Sequence, residues 1–145
     1  MPVHYNISSE LKTVIYFCTG LVSGAEIFKT SDRVFRDKRR IPNLITIIDF
    51  SAASENIQLG ELHEAIRRIE NSAERGFLPG PIVILSRSTG MQILVDTINL
   101  LPHKVSFQLD IVDTLEAAIS LLGLLGSKQE IIRFWQENQS LSAPE

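Results

Sequence analysis

The chain has 145 residues, 44% of them hydrophobic and 21% charged, with a net charge of −3, which fits one domain able to bury about 68–70% of its unfolded surface. That charge excludes a global attraction to nucleic acid or anionic lipid. A single cysteine, Cys18, excludes an intrachain disulfide, and its apolar neighbours Val14, Ile15, Tyr16 and Phe17 make it a core thiol, in keeping with a reducing compartment.

Near the N-terminus, Asn6, Ser8, Ser9, Glu10 and Lys12 break up any secretion-signal pattern, and no stretch approaches the roughly 20 apolar residues of a membrane span. A soluble, cytoplasmic protein is expected. Tyr5 to Ile7 and Thr13 to Thr19 read as two strands joined by the polar turn Ser8-Ser9-Glu10, and the second, apolar on both faces, reads as a central strand. Ser23-Gly24-Ala25-Glu26 fits a capping box, opening a helix that presents Ile27, Phe28, Val34 and Phe35 to the sheet and ends near Arg40, before Pro42. Leu44 to Ile48, closed by Asp49, is a buried strand by length and β-branched content.

After a loop from Ser51 to Asn56, a helix carries Leu59, Leu62, Ile66 and Ile69 on one stripe, and Gly76 with Pro79-Gly80-Pro81 ends it. Ile82 to Leu85 is the next strand. Ser86-Arg87-Ser88-Thr89 leads into a third helix with Met91, Leu94, Val95, Ile98 and Leu101, stopped at Pro102. A strand from Ser106 to Val112 and a second capping-box pattern, Asp113-Thr114-Leu115-Glu116, precede a helix with Leu115, Ala118, Ile119 and Leu122, closed by Gly123. The order β-β-α-β-α-β-α-β-α predicts an α/β domain with a mixed four- to five-stranded sheet over residues 1–123. Residues 124–145 form a C-terminal helical extension, with a helix from about Lys128 to Asn138 and a polar tail from Gln139 to Glu145.

That order, the strand end Leu-Ile-Thr-Ile-Ile-Asp49-Phe-Ser51, the Ser-x-x-x-Gly90-Met91 helix entry and the run Asp113-x-Leu115-Glu116-Ala117-Ala118-Ile119-x-Leu121-Leu122-Gly123 resemble the SpoIIAA-like family. This is a branch of the STAS superfamily, the domains of anti-sigma-factor antagonists and sulfate transporters. The resemblance spans residues 5–123 and implies a non-enzymatic STAS-like domain that works by protein interaction or small-ligand binding. Anti-sigma-factor antagonists carry a phosphorylated Asp-Ser-Ser-Gly motif after the third strand, where this chain has Gln58-Leu59-Gly60. The resemblance therefore carries over the scaffold and not the phospho-switch.

Two loops are candidate ligand-binding segments because each follows a buried strand and should open on the carboxyl edge of the sheet, where open α/β sheets bind ligands. The first contributes Asp49, Ser51 and Ser54; the second contributes Ser86, Arg87, Ser88 and Thr89. Free amides at the helix N-termini, with Arg87, would receive an anionic group, whereas the plainer role of these hydroxyls is to cap helices and turns. Arg33, Arg36, Lys38, Arg39 and Arg40 form the densest positive run; without interleaved aromatics other than Phe35, assigned to the core, it reads as a solvated helix end rather than a nucleic-acid or lipid surface.

His4, His63 and His103 have no ligand spacing, and His63 reads as a solvent-facing helix residue, so neither a metal, a cofactor nor a catalytic residue is expected. The functional reading is a binding or regulatory domain acting through a protein partner or a small apolar or anionic ligand. A hydrolase using the serine loops is the enzymatic alternative. In the C-terminal extension Ile131, Phe134 and Trp135 share one helical side and need covering, by the chain's own sheet, by a second copy as a homodimer, or by a membrane surface, in that order.

Overall fold

A strand that is apolar on both faces requires a sheet covered on both sides. The computed structural model describes residues 2–77 and 80–142, with 140–142 described by their backbone alone, and it contains such a sheet. Its elements are β1 (Val3–Ser8), β2 (Thr13–Ser23), α1 (Gly24–Arg36), β3 (Ile45–Asn56), α2 (Leu59–Glu74), β4 (Ile82–Leu85), α3 (Thr89–Leu100), β5 (Leu109–Val112), α4 (Leu115–Leu121) and α5 (Lys128–Ser142). The strands lie in the order β1-β2-β3-β4-β5. β1 is antiparallel to β2 and the remaining pairs are parallel, with Ile47 opposite Val83 and Asp49 opposite Leu85.

The alternation of side chains across the strands builds two cores. On one face Val14, Tyr16, Ile48 and Ile84 meet Val34 of α1 and Met91 and Val95 of α3. On the other, Ile15, Phe17, Ile47, Val83 and Leu85 meet Leu115, Ala118 and Ile119 of α4 and Ile131 of α5. Ile131 has no exposed surface, so α5 belongs to the second core as fully as α4 does. Covering by the chain's own sheet is what the structure shows, and Ile131 is unavailable to a homodimer contact.

Several local expectations change. The segment from Ser51 to Asn56 is the second half of β3 and not a loop, because Ala52 to Asn56 pair with Thr19 to Ser23 of β2. Those ladder bonds satisfy backbone groups that the small, polar side chains would otherwise leave to a turn. α1 ends at Arg36, since Asp37 turns extended and its carboxylate accepts the Arg39 amide at 2.9 Å. Leu59 is the first residue of α2 and lies outside its covered turns, 63% exposed, while Leu62 and Ile66 are buried.

β5 begins at Leu109, three residues after Ser106, although the Gln108 carbonyl already accepts from Ile82. Thr114 and not Asp113 caps α4, its hydroxyl accepting the Ala117 amide at 3.1 Å. Ser23 does cap α1 through the Glu26 amide. Pro79 of the expected stop signal and residues 143–145 of the tail lie outside the described residues.

Candidate functional site

The carboxyl edge of the sheet brings the two expected segments together, since Asp49 and Leu85 are paired neighbours. Between Phe17 and Thr19 on β2, β3 runs from Asp49 to Ala52, so β3 carries one extra residue in a bulge. Asp49, 4% exposed, spans that bulge: its Oδ1 accepts from the Ser51 amide at 2.9 Å and the Ser51 hydroxyl at 2.5 Å, and its Oδ2 accepts from the Trp135 indole at 2.7 Å. Ser54 is exposed on the strand. Ser86 is buried and accepts the Ser88 amide at 3.0 Å; Ser88 caps α3 by accepting the Met91 amide at 3.2 Å. Arg87 and Thr89 are exposed.

The helix N-termini at this edge already hold carboxylates from the chain itself, which neither motif nor spacing signalled. Glu61 accepts the Gln58 amide at 2.8 Å in the capping box of α2, and its other oxygen accepts the Ala25 amide of α1 at 2.9 Å. A Cβ at position 24 would stand 2.5 Å from that oxygen, so the approach requires glycine there. Glu55, at the end of β3, accepts from Ser88 Oγ at 2.6 Å beside Gly90, in front of α3. Negative charge is stabilising at these positions, and the fold supplies it internally. The hydroxyls of Ser51, Ser86 and Ser88 thus serve as caps and bulge ties.

The open volumes lie elsewhere, on the α1–α3 face and at the amino edge. A cavity of about 220 Å³ separates α2 from the sheet, lined by Ile48, Ile57, Leu62, Ile66, Met91 and Leu94 among other apolar side chains. A second cavity, of about 410 Å³, opens between the C-terminal ends of α1 and α2 and is lined by Asp32, Phe35, Arg40, Arg68, Arg75 and Phe77 among others. Tyr16, Thr46, Arg68 and Ile82 line both, so the volumes adjoin. Burial pushes the Tyr16 phenol up to about 12, which keeps it a neutral wall.

Arg68 stands at the junction. Its guanidinium donates to Asp32 at 2.8 and 3.4 Å, lies 4.9 Å from the Phe28 ring centroid, and holds the Asp32 carboxyl below its ordinary range. Its Nε is 3.6 Å from Glu64, and this buried N–H has no hydrogen-bond partner. Arg40 lies over Phe35 and Phe77 at 4.5 and 4.4 Å, and the two rings meet edge to face at 5.0 Å. Phe35 is therefore half-buried in the outer cavity's wall and not a core residue. The rest of the basic run divides: Arg39 pairs with Asp37 at 3.0 Å, Arg36 donates to the Asp32 carbonyl, and Lys38 is exposed.

Among the described residues no three His, Cys, Asp or Glu side chains gather as metal ligands, and no helix is long and apolar enough to cross a membrane. His4, His63 and His103 are exposed, and Cys18 is buried.

No family model matches the chain, and no curated protein does. Among solved structures it is similar to one described as the anti-sigma factor antagonist SpoIIAA in its unphosphorylated form, at 16% identity and a TM-score of 0.47, over 83% of this chain and 97% of that one. The mixed α/β architecture itself stands on the strand order and on the helices of both faces.

Proposed function

We propose that the chain is a non-enzymatic binding domain whose small ligand occupies the cavity between the sheet and α1–α3, away from the serine segments of the carboxyl edge. The observation that carries this is the standing-off of α2: its buried Leu62 and Ile66 face a lined volume of about 220 Å³ rather than the sheet. Close packing is the rule in protein interiors, and apolar cavities of this kind accept apolar guests. Among the described residues neither cavity is lined by a histidine or a cysteine, and the lining carboxylates are already engaged, Asp32 by Arg68 and Glu61 by the Gln58 and Ala25 amides, which supports a binding role over hydrolysis.

The test uses a neutral apolar probe, 1-octanol, with thermal melts and calorimetric titration. A bound guest raises the melting temperature by mass action, several degrees at a hundredfold excess over Kd. Ala65 of α2 lines the cavity, and Ala65→Phe fills it. Binding by the native chain and loss of binding in the folded Ala65→Phe variant is the expected result. No binding by the native chain refutes the proposal.

A further inference from the structure

We infer that the two adjoining cavities together take a linear aliphatic monocarboxylate of medium length, its chain between α2 and the sheet and its carboxylate among Arg40, Arg68 and Arg75. The inference rests on the binding role proposed above and names the ligand class. The inner volume sets the scale of the chain. A methylene is close in size to a water molecule, whose share of liquid volume is ~30 Å³, so about 220 Å³ accommodates roughly seven carbons.

The outer volume fixes the head group. Three arginines line it against one carboxylate residue, Asp32, which is already bonded to Arg68. The buried Nε–H of Arg68, 3.6 Å from Glu64, has no hydrogen-bond partner. Arg40 lies against two rings, its Cζ 4.5 and 4.4 Å from the centroids of Phe35 and Phe77. A guanidinium carries five N–H donors in a fork that matches a planar carboxylate. Arg40 and Arg75 have no carboxylate partner among the described residues.

One effect opposes an anion here, because the C-terminal ends of α1 and α2 point to this edge with their partial negative charge. Four carbonyls near these ends are already engaged: Val34 O accepts from Asp37, Asp32 O from the Arg36 side chain, Ser72 O from Arg75 and Phe77, and Ala73 O from Gly76. The dipole effect fades within the last turn and is that of partial charges, whereas three arginines, each with a full charge, line the cavity. A cationic head is opposed by those same three arginines. A neutral head brings no charge to meet the three arginines.

Calorimetric titration of the full chain with octanoate, 1-octanol and octylammonium, all of one chain length, tests the head group, and butyrate tests the chain. The expected result is octanoate binding at least about tenfold tighter than 1-octanol, the gain of a charge-assisted hydrogen bond, with octylammonium and butyrate weaker than both. In the double variant Arg40→Gln, Arg75→Gln, which leaves the Arg68–Asp32 pair intact, the octanoate preference falls and 1-octanol binding is unchanged. Equal binding of octanoate and 1-octanol by the native chain overturns the carboxylate assignment while the cavity reading stands. Binding of neither overturns both, and an octanoate preference that survives in the folded double variant overturns the arginine assignment.

Discussion

The indole nitrogen of Trp135 donates to Oδ2 of Asp49 at 2.7 Å across 86 positions of sequence, and the other oxygen of that carboxylate spans the β3 bulge at Ser51. One bond thus ties α5 to the central strand at the place where the ladder is irregular. Asp49 is 4% exposed, so this indole is one of the few donors that offset its desolvation. The C-terminal helix is bound to the sheet by polar contact as well as by Ile131.

Trp135→Phe keeps the ring and removes the donor. A hydrogen bond to a carboxylate contributes about 1.5–3 kcal/mol, and that loss is the expected destabilisation in urea unfolding. In the cycle with Asp49→Ala, the double variant should lose less than the sum of the singles. Strict additivity would show that the bond contributes nothing. Removing residues 124–145 goes further, uncovering Leu115, Ala118 and Ile119 as it takes away Ile131, each large side chain contributing about 1.5–3 kcal/mol. The shortened chain should melt far lower while the full chain runs as a monomer in light scattering.

The element order was legible because it rests on local signals: β-branched runs at Ile45 to Ile48 and Ile82 to Leu85, caps at Ser23 and Ser88, and Gly123 with a positive φ of 71° after α4. The far half of β3 was not, since Ser51-Ala52-Ala53-Ser54 has turn composition and only its pairing with β2 makes it a strand. The same limit hid the cavities. Arg40 and Phe35 were visible as a helix-end charge and a core aromatic, but their shared contact with Phe77, three residues beyond the end of α2, was not. Gln58 is a weak cap by type, so the capping box with Glu61 gave no recognisable pattern.

Glu61 closes two helices with one side chain, through the Gln58 amide at 2.8 Å and the Ala25 amide at 2.9 Å. Losing a cap costs ~0.5–2 kcal/mol, so Glu61→Ala should cost about 1–4 kcal/mol, with amide exchange rising at both Ala25 and Gln58. Gly24→Ala should reproduce only the Ala25 effect, since a Cβ there displaces the Glu61 oxygen from α1 alone. Unchanged protection at Ala25 in Gly24→Ala would disprove the shared cap.

Cys18 is 3% exposed, and burial, followed by the nearby Asp49 and Glu26 carboxylates, pushes its thiol up to about 12. Only the thiolate attacks an alkylating agent, so the native protein should resist iodoacetamide at pH 8 while the urea-unfolded chain reacts at once. The folded value is the higher one. The associated stability is therefore complete below the unfolded value near 9.0 and is lost as pH rises towards about 12. Rapid labelling of the native chain at pH 8 would place Cys18 outside the core.

Asp37 ends α1 and takes donors from three directions: the Arg39 guanidinium at 3.0 and 3.1 Å, the Arg39 amide at 2.9 Å and the Tyr5 hydroxyl at 2.8 Å. The Arg39 side-chain bonds first, then its amide, hold the carboxyl well below the usual 3.8. Because the folded value is the lower one, the charged form stabilises the fold above pH 3.8, and that contribution drains away as pH falls below it. The Arg39 side chain is 49% exposed, so added salt should shrink the effect. Wild type should outlast Asp37→Asn in thermal melts at pH 7, and the gap should narrow steadily from pH 4 to pH 2. A gap that is the same at pH 7 and pH 2 would mean that the ionised carboxylate contributes nothing to the junction of β1 and α1.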